Sequence, residues 1–311
     1  KKNEFVFQPD WYRGVEYPKE QERGYASTED LYVPGYFEMP IKKGESIVFS
    51  AAVSSIKPSV LKKLFDEEVA ERNPRDNFFH CLVNAAHQFH IRKKNDDRYL
   101  LAGYPWFKCR ARDTFISLPG LTLSIEEQDY FELVMKTAEK GLREFMAGKP
   151  LTVQIAEIEQ PDVLLWAIWA IQQYAKEAGL EKCRDMYGQL VKDIVKFIES
   201  GKHNNLQLRD NGLLYSNGKD KAVTWMNSTA NGYPVVPRTG YIVEFNALWY
   251  NALCFAQSIA ELDGDKALAE QLNERAAVCQ KSFVDTFLNE HGYLFDYVDE
   301  NPRDWSVRPN M

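Results

Sequence analysis

From Pro58 to Asn289 the apolar residues return at helical spacing in eight successive stretches, and this period limits the chain to a mainly α architecture. The stretches are Pro58–Asn73, Pro74–Lys94, Arg112–Leu121, Glu126–Ala147, Pro161–Gly179, Leu180–Ser200, Val243–Asp263 and Gly264–Asn289. In the second, Phe78, Cys81, Leu82, Ala85 and Phe89 fall at i, i+3, i+4, i+7 and i+11, one face of a helix. The joins Ala178-Gly179-Leu180 and Leu262-Asp263-Gly264-Asp265 are too short for anything but antiparallel αα-hairpins. A layered or toroidal helical body is expected. No repeat of about 33–47 residues with recurring signature positions is visible, which argues against ankyrin, TPR or HEAT arrays.

Residues 1–55 follow a different rule. Glu4–Phe7, Leu31–Val33, Gly35–Met39 and Ser46–Val53 are short β-prone pieces divided by Pro, Gly and charged turns. The chain is therefore read as a β-rich segment over 1–55 and a helical domain over 56–311. The first is too short for a sandwich, so further strands are expected upstream of Lys1.

Composition narrows the partners. With 38 basic against 45 acidic side chains the formal charge is -7, and no long basic run is present, which argues against a nucleic-acid binder. The five cysteines are odd in number and contain no C-x-x-C pair, so neither a disulfide framework nor a zinc knuckle is expected. No apolar stretch reaches the ~18–20 residues that span a bilayer, and no signal segment opens the chain. The expectation is a soluble, cytoplasmic chain with no membrane partner. Gly-rich phosphate loops, G-x-S-x-G elbows and Walker motifs are also lacking, which lowers nucleotide chemistry and serine hydrolysis.

Seven Trp, 16 Tyr and 18 Phe are a heavy aromatic load, and several stand in polar segments such as Gly103-Tyr104-Pro105-Trp106-Phe107 and Thr224-Trp225-Met226-Asn227. A pyranose ring offers apolar C–H faces for stacking and hydroxyls for planar polar groups, so aromatics among polar loop residues fit a sugar site. The loop at Trp106 runs into a helix whose first turn holds Arg112 and Asp113, an adjacent donor and acceptor. Residues 201–239, rich in Asn, Gly, Pro and aromatics, form a connection long enough to be functional. Glu244 opens the apolar helix that follows. Glycoside hydrolysis needs two carboxyl groups around the anomeric carbon, and Asp113, Glu159, Asp162 and Glu244 are the candidates that lie near aromatic loops. Spacing does not choose a pair among them. His80, His87 and His90 fall on one expected helix, but with no carboxylate pattern beside them they read as packed neutral histidines, and no metal or other cofactor is expected.

Taken in order, several motifs resemble the bacterial and archaeal glycogen-debranching enzymes of the amylo-α-1,6-glucosidase type. They are Ala102-Gly103-Tyr104-Pro105-Trp106-Phe107, Arg112-Asp113-Thr114, Ile116-Ser117-Leu118-Pro119-Gly120-Leu121, Thr224-Trp225-Met226, Pro237-Arg238-Thr239-Gly240, Val243-Glu244, Asn246 to Leu253 and Arg308-Pro309-Asn310. Tyr17 to Gly24 and Val33-Pro34-Gly35 resemble the end of that family's β-rich N-terminal domain. The resemblance implies an (α/α)6 toroid preceded by a β-sandwich, releasing glucose from α-1,6 branch points of glycogen-like glucans by inverting hydrolysis without a metal. It implies that Arg112 and Asp113 hold the terminal glucose. Trp106, Trp225, Asp162, Arg238, Trp249 and Arg308 would line the pocket, and Glu244 would lie at or beside it.

Two departures stand out. Where the family has Thr-Trp-Met-Asp, with the Asp as general acid, this chain has Asn227, and an amide cannot deliver a proton as a carboxylic acid does. Glu244 is the nearest substitute in sequence. The family also continues past Arg-Pro-Asn into closing helices and a His-Gly-Trp segment, so with eight helices in place of twelve the toroid is expected to be incomplete at its C-terminal end. A catalytically silent glucan-binding homologue and a helical scaffold for protein partners are the alternatives. The exposure of Trp106 and Trp225 separates the scaffold from the other two.

Overall fold

The structure, a computed structural model, describes residues 4–93, 96–104, 106–299, 306 and 308. The motif residues Pro105, Pro309 and Asn310 lie outside them. The chain divides into two compact units, Lys1–Asn73 and Pro74–Met311.

In the first unit, strand β1 (Glu4–Glu16) and strand β2 (Thr28–Glu38) form a long antiparallel ribbon, joined through the short helix α1 (Pro18–Glu22). Register shifts between Phe7 and Asp10 and between Tyr12 and Val15 break the ladder, so several short β pieces are one bulged hairpin. Cross-strand rings hold it, with Trp11 edge-on to Tyr32 at 5.3 Å and Phe5 against Phe37 at 5.1 Å. Residues 46–53, expected as a strand, form none, because no neighbouring strand receives their backbone among the described residues. Helix α2 (Leu61–Glu71) follows a 3-10 turn at Pro58–Val60 and carries i,i+4 pairs such as Lys62–Asp66.

The second unit is mainly α. Helix α3 (Phe78–His87) starts on Asn77, whose side chain accepts from the His80 backbone N–H at 2.9 Å. The sequence predicts this helix to run to Lys94. It stops at His87 instead, because residues 90–92 are drawn into a hairpin, strand β3 (His90–Arg92) against strand β4 (Arg98–Leu100), that buries Tyr99 and Leu100. His90 is therefore not on the helix that carries His80 and His87.

The remaining helices match the predicted spans to within two residues at either end. They are α4 (Ala111–Leu121), α5 (Gln128–Met146), α6 (Val163–Ala178), α7 (Leu180–Glu199), α8 (Val243–Leu262) and α9 (Lys266–Phe287). Helix α6 lies at the centre, packed by α4, α7 and α8, and α8 also packs on α9. Its Val163, Leu164, Ala167, Ile168, Ala170 and Ile171 are fully enclosed, so a helix apolar on most sides is explained by neighbours on most sides. None of the described helices is long and apolar enough to cross a membrane.

The connection 201–239 is not a plain loop. It contributes strands β5 (Gln207–Leu208) and β6 (Leu214–Ser216) and the small hairpin β7 (Thr229–Ala230) with β8 (Tyr233–Pro234). Strand β9 (Gly240–Ile242) and strand β10 (Tyr297–Val298) complete an antiparallel sheet in the order β10-β9-β6-β5. Asn246 fastens α8 beneath this sheet: its amide accepts from the Leu214 N–H at 2.7 Å and donates to the Leu214 and Ile242 carbonyls. Gly240 sits at φ +95°, where a Cβ would come within 2.3 Å of the Val298 carbonyl oxygen, so only glycine permits the β9–β10 approach.

Candidate functional site

The candidate groups gather at helix N-termini. Asp162 is the N-cap of α6 and Glu244 the second residue of α8, places where the helix dipole and unpaired N–H groups favour carboxylates, while Arg112, the second residue of α4, is held there by its carboxylate partner.

Arg112 and Asp162, both almost wholly buried, face each other as a fork. The Arg112 Nε donates to Asp162 Oδ2 at 2.6 Å and its Nη2 to Oδ1 at 2.9 Å. The same carboxylate accepts from the Trp166 indole at 3.2 Å, and Arg112 Nη2 reaches the Val223 carbonyl at 3.2 Å. One guanidinium thus joins the starts of α4 and α6 to the segment that carries Trp225. The two Nη1 protons of Arg112 have no acceptor among the described residues.

A second set lies at the start of α8. Arg238, 1% exposed, donates Nε to Asp296 Oδ2 at 2.9 Å and Nη2 to Asp296 Oδ1 at 2.7 Å, while Nη1 and Nη2 grip both oxygens of Glu244. Arg308 adds a bond to Asp296 Oδ2 at 2.6 Å. The Asp296 carbonyl also accepts from the Val243 N–H, so this residue closes the helix start as well. Two guanidinium groups meet two carboxylates, and the cluster is formally neutral. Burial pushes the Glu244 carboxyl above the usual carboxylate range, and Arg238 offsets this only in part. Burial opposes the Arg238 charge, but Glu244 and Asp296 outweigh it and raise the guanidinium above its ordinary value. Gly218 packs between the backbone at Arg238 and the Val223 side chain, where a Cβ would lie 1.8 Å from the Arg238 carbonyl oxygen and 3.0 Å from Val223.

Trp106 is 72% and Trp225 48% exposed, so neither indole belongs to the core. The Trp106 loop is tied at its base by the Phe107 N–H to Gly103 carbonyl bond at 3.0 Å, and Arg110 lies over the Phe107 ring at 4.7 Å. Thr224 is buried, and its hydroxyl accepts from the Met226 N–H at 3.2 Å. The next bond, Asn227 N–H to the Trp225 carbonyl at 2.9 Å, makes a tight bend that leaves Asn227 exposed. Asp113 is exposed in the first turn of α4.

Trp249 stands apart from this group. It is 1% exposed inside α8, packed in the core with no ring face left for a sugar, so its part is packing and the expectation that it lines a pocket is corrected. Asp296 is the residue that sequence reasoning missed. It lies beyond the end of α9, just before β10, and pairs with Arg238 across 58 positions, a relation that no local pattern signals.

The helical unit thus draws carboxylates and arginines together at helix ends and leaves the indoles of Trp106 and Trp225 exposed on polar loops. A family model described as amylo-alpha-1,6-glucosidase matches residues 84–311, and one described as glycogen debranching enzyme N terminal matches residues 1–48. The chain belongs to the amylo-alpha-1,6-glucosidase family. A comparison with curated proteins finds no match.

Proposed function

We propose that this chain is a glycoside hydrolase of the α-1,6-glucosidase type, which releases glucose from branch points of glycogen-like glucans by inverting hydrolysis. The family match over residues 84–311 is the observation that carries the reading. The exposed indoles of Trp106 and Trp225 support it, since a helical scaffold would have buried them. On this reading the helical unit is part of an (α/α)6 toroid, residues 1–55 are the end of a β-rich domain, and the compartment is the cytoplasm.

The roles follow from the contacts. Trp106 and Trp225 stack on the glucosyl ring, Asp113 accepts from its hydroxyls, and Arg112 donates from Nη1. Arg238, Asp162 and Arg308 act as positioning residues, because each is already spent on a protein partner. Glu244, although both its oxygens accept from Arg238 and would have to be released from it to carry a proton, is the carboxyl group we assign to proton transfer, because its burial moves it in the direction a general acid needs. An inverting pair stands about 6.5–9.5 Å apart, with room for the attacking water.

A second reading, glucan binding without turnover, is favoured by one observation, the amide of Asn227 at the family's acid position. Glucose release from an α-1,6-branched limit dextrin tests both readings. The hydrolase reading expects release by the natural chain, its loss in Glu244→Gln and a gain in Asn227→Asp. Saturable dextrin binding with no glucose from either the natural chain or Asn227→Asp overturns it in favour of binding alone.

A further inference from the structure

Away from the arginine clusters, the end of α3, the start of β3 and the N-cap of α5 bring His87, His90 and Glu127 to one point. Their ligand atoms all lie within 4.8 Å of one another, a grouping that spans 40 positions. His87 Nε2 is 2.5 Å from Glu127 Oε1, and His90 Nδ1 is 3.6 Å from Glu127 Oε2. One carboxylate therefore presents an oxygen to each of two imidazoles.

The orientation of His90 is fixed by a backbone bond. Its Nε2 lies 2.9 Å from the Leu121 carbonyl oxygen, which can only accept, so Nε2 carries the proton and the Nδ1 lone pair is aimed at Glu127. The ring is further held by Tyr130, stacked at 3.9 Å with 12° between the planes. An imidazole that gives its second N–H to a backbone carbonyl while its lone pair faces a carboxylate is the outer-shell arrangement that orients histidine ligands around a metal. Without a cation, that lone pair and the Glu127 oxygen are two acceptors facing each other.

We infer that His87, His90 and Glu127 form a site for a divalent transition metal of the zinc class, with a water completing a four-coordinate shell. Two imidazole nitrogens and one carboxylate oxygen suit zinc, and bonds of ~2.1 Å in a tetrahedron place ligand atoms about 3.4 Å apart, within the span seen here. His87 and Glu127 are only partly covered, which leaves the fourth position open to solvent. On binding, the proton between His87 Nε2 and Glu127 leaves to solvent and the metal takes its place. Such an ion pins the β3–β4 hairpin to α5, and the hairpin leads directly into the loop that holds Trp106.

The full chain, stripped with a chelator and then titrated with Zn2+ or Co2+ alone, decides the matter. Cys81, an exposed thiol on α3, is replaced by Ser throughout so that it cannot serve as a ligand. One equivalent should bind, Co2+ should show the visible d–d absorption of a tetrahedral site, and His87→Ala and Glu127→Gln should each weaken binding at least tenfold, with a His291→Ala control unchanged. His87 is half exposed at the end of its helix, so that variant retains the fold. No stoichiometric binding by the parent, or binding by His87→Ala equal to the parent's, overturns the assignment.

Discussion

Asp162→Ala separates the buried fork from everything around it. The substitution removes two charge-assisted bonds to Arg112 and one from Trp166, and it leaves a guanidinium that is 6% exposed without its counter-charge. Both partners are shielded from water, so screening does little to soften the loss. Breaking a buried pair from one side costs about 3–5 kcal/mol. For a unit of this size that loss lowers the melting temperature by about 6–20 °C. Asp162→Asn keeps one acceptor oxygen and should lose less, about 1–3 kcal/mol. Arg112→Met combined with Asp162→Leu removes both charges, and should recover at least ~2 kcal/mol relative to Asp162→Ala. Recovery stays incomplete because the Val223 carbonyl loses its donor. The assay is urea unfolding followed by both near-ultraviolet circular dichroism and tryptophan fluorescence, with coincident transitions required because the chain has two units. A loss below ~1 kcal/mol for Asp162→Ala, or a double variant as unstable as the sum of its parts, would refute the argument.

Trp106→Ala should leave stability within ~0.5 kcal/mol and weaken dextrin binding roughly tenfold, whereas Trp249→Ala should cost about 3–5 kcal/mol; calorimetry and affinity electrophoresis read the two effects. Gly240→Ala should destabilise the helical unit by ~2 kcal/mol or more, because φ +95° and the Val298 carbonyl both oppose a side chain, and limited proteolysis near β10 will report it. His203 is buried among Phe145 and Phe197, and burial brings its imidazole down to about 4. The unfolded ring takes up its proton near pH 6.5 and the folded ring only near 4, so stability present above pH 6.5 is lost as pH falls towards 4, by about 3 kcal/mol in full. His203→Gln should flatten that fall in urea midpoints measured between pH 4 and 7.

Six helices from α4 onward were legible in sequence because their apolar faces recur over three turns or more and their ends are marked by Gly, Pro or acidic residues. The end of α3 was not legible. Phe89 continues the helical period of Phe78, Cys81, Leu82 and Ala85, yet pairing of His90 with Leu100 outweighs local propensity, and nothing within ten residues announces it. The strands of 201–239 escape for a similar reason, since two- or three-residue strands have no measurable period. At the site, Arg112, Asp113, Asp162 and Glu244 were legible as types, charged residues at helix starts near aromatic loops, and Arg238 as part of the Pro237-to-Gly240 motif. Which of them face each other was not. Arg112 meets Asp162 across 50 positions and Arg238 meets Asp296 across 58, distances at which only the fold decides.

The pairings also explain why so many charges are buried in a unit whose core needs none. An apolar replacement of a buried ion pair is often as stable as the pair itself, so stability alone does not account for keeping Arg112 and Arg238. Each guanidinium instead ties separate segments together, Arg112 the starts of α4 and α6 with Val223, and Arg238 the start of α8 with the Asp296 turn before β10. A leucine could fill either space but could not fix a carboxylate to within a hydrogen bond. The segments fixed in this way are the ones that carry Trp225 and Glu244, and positioning of that accuracy is what the glucosidase function proposed above would require of them.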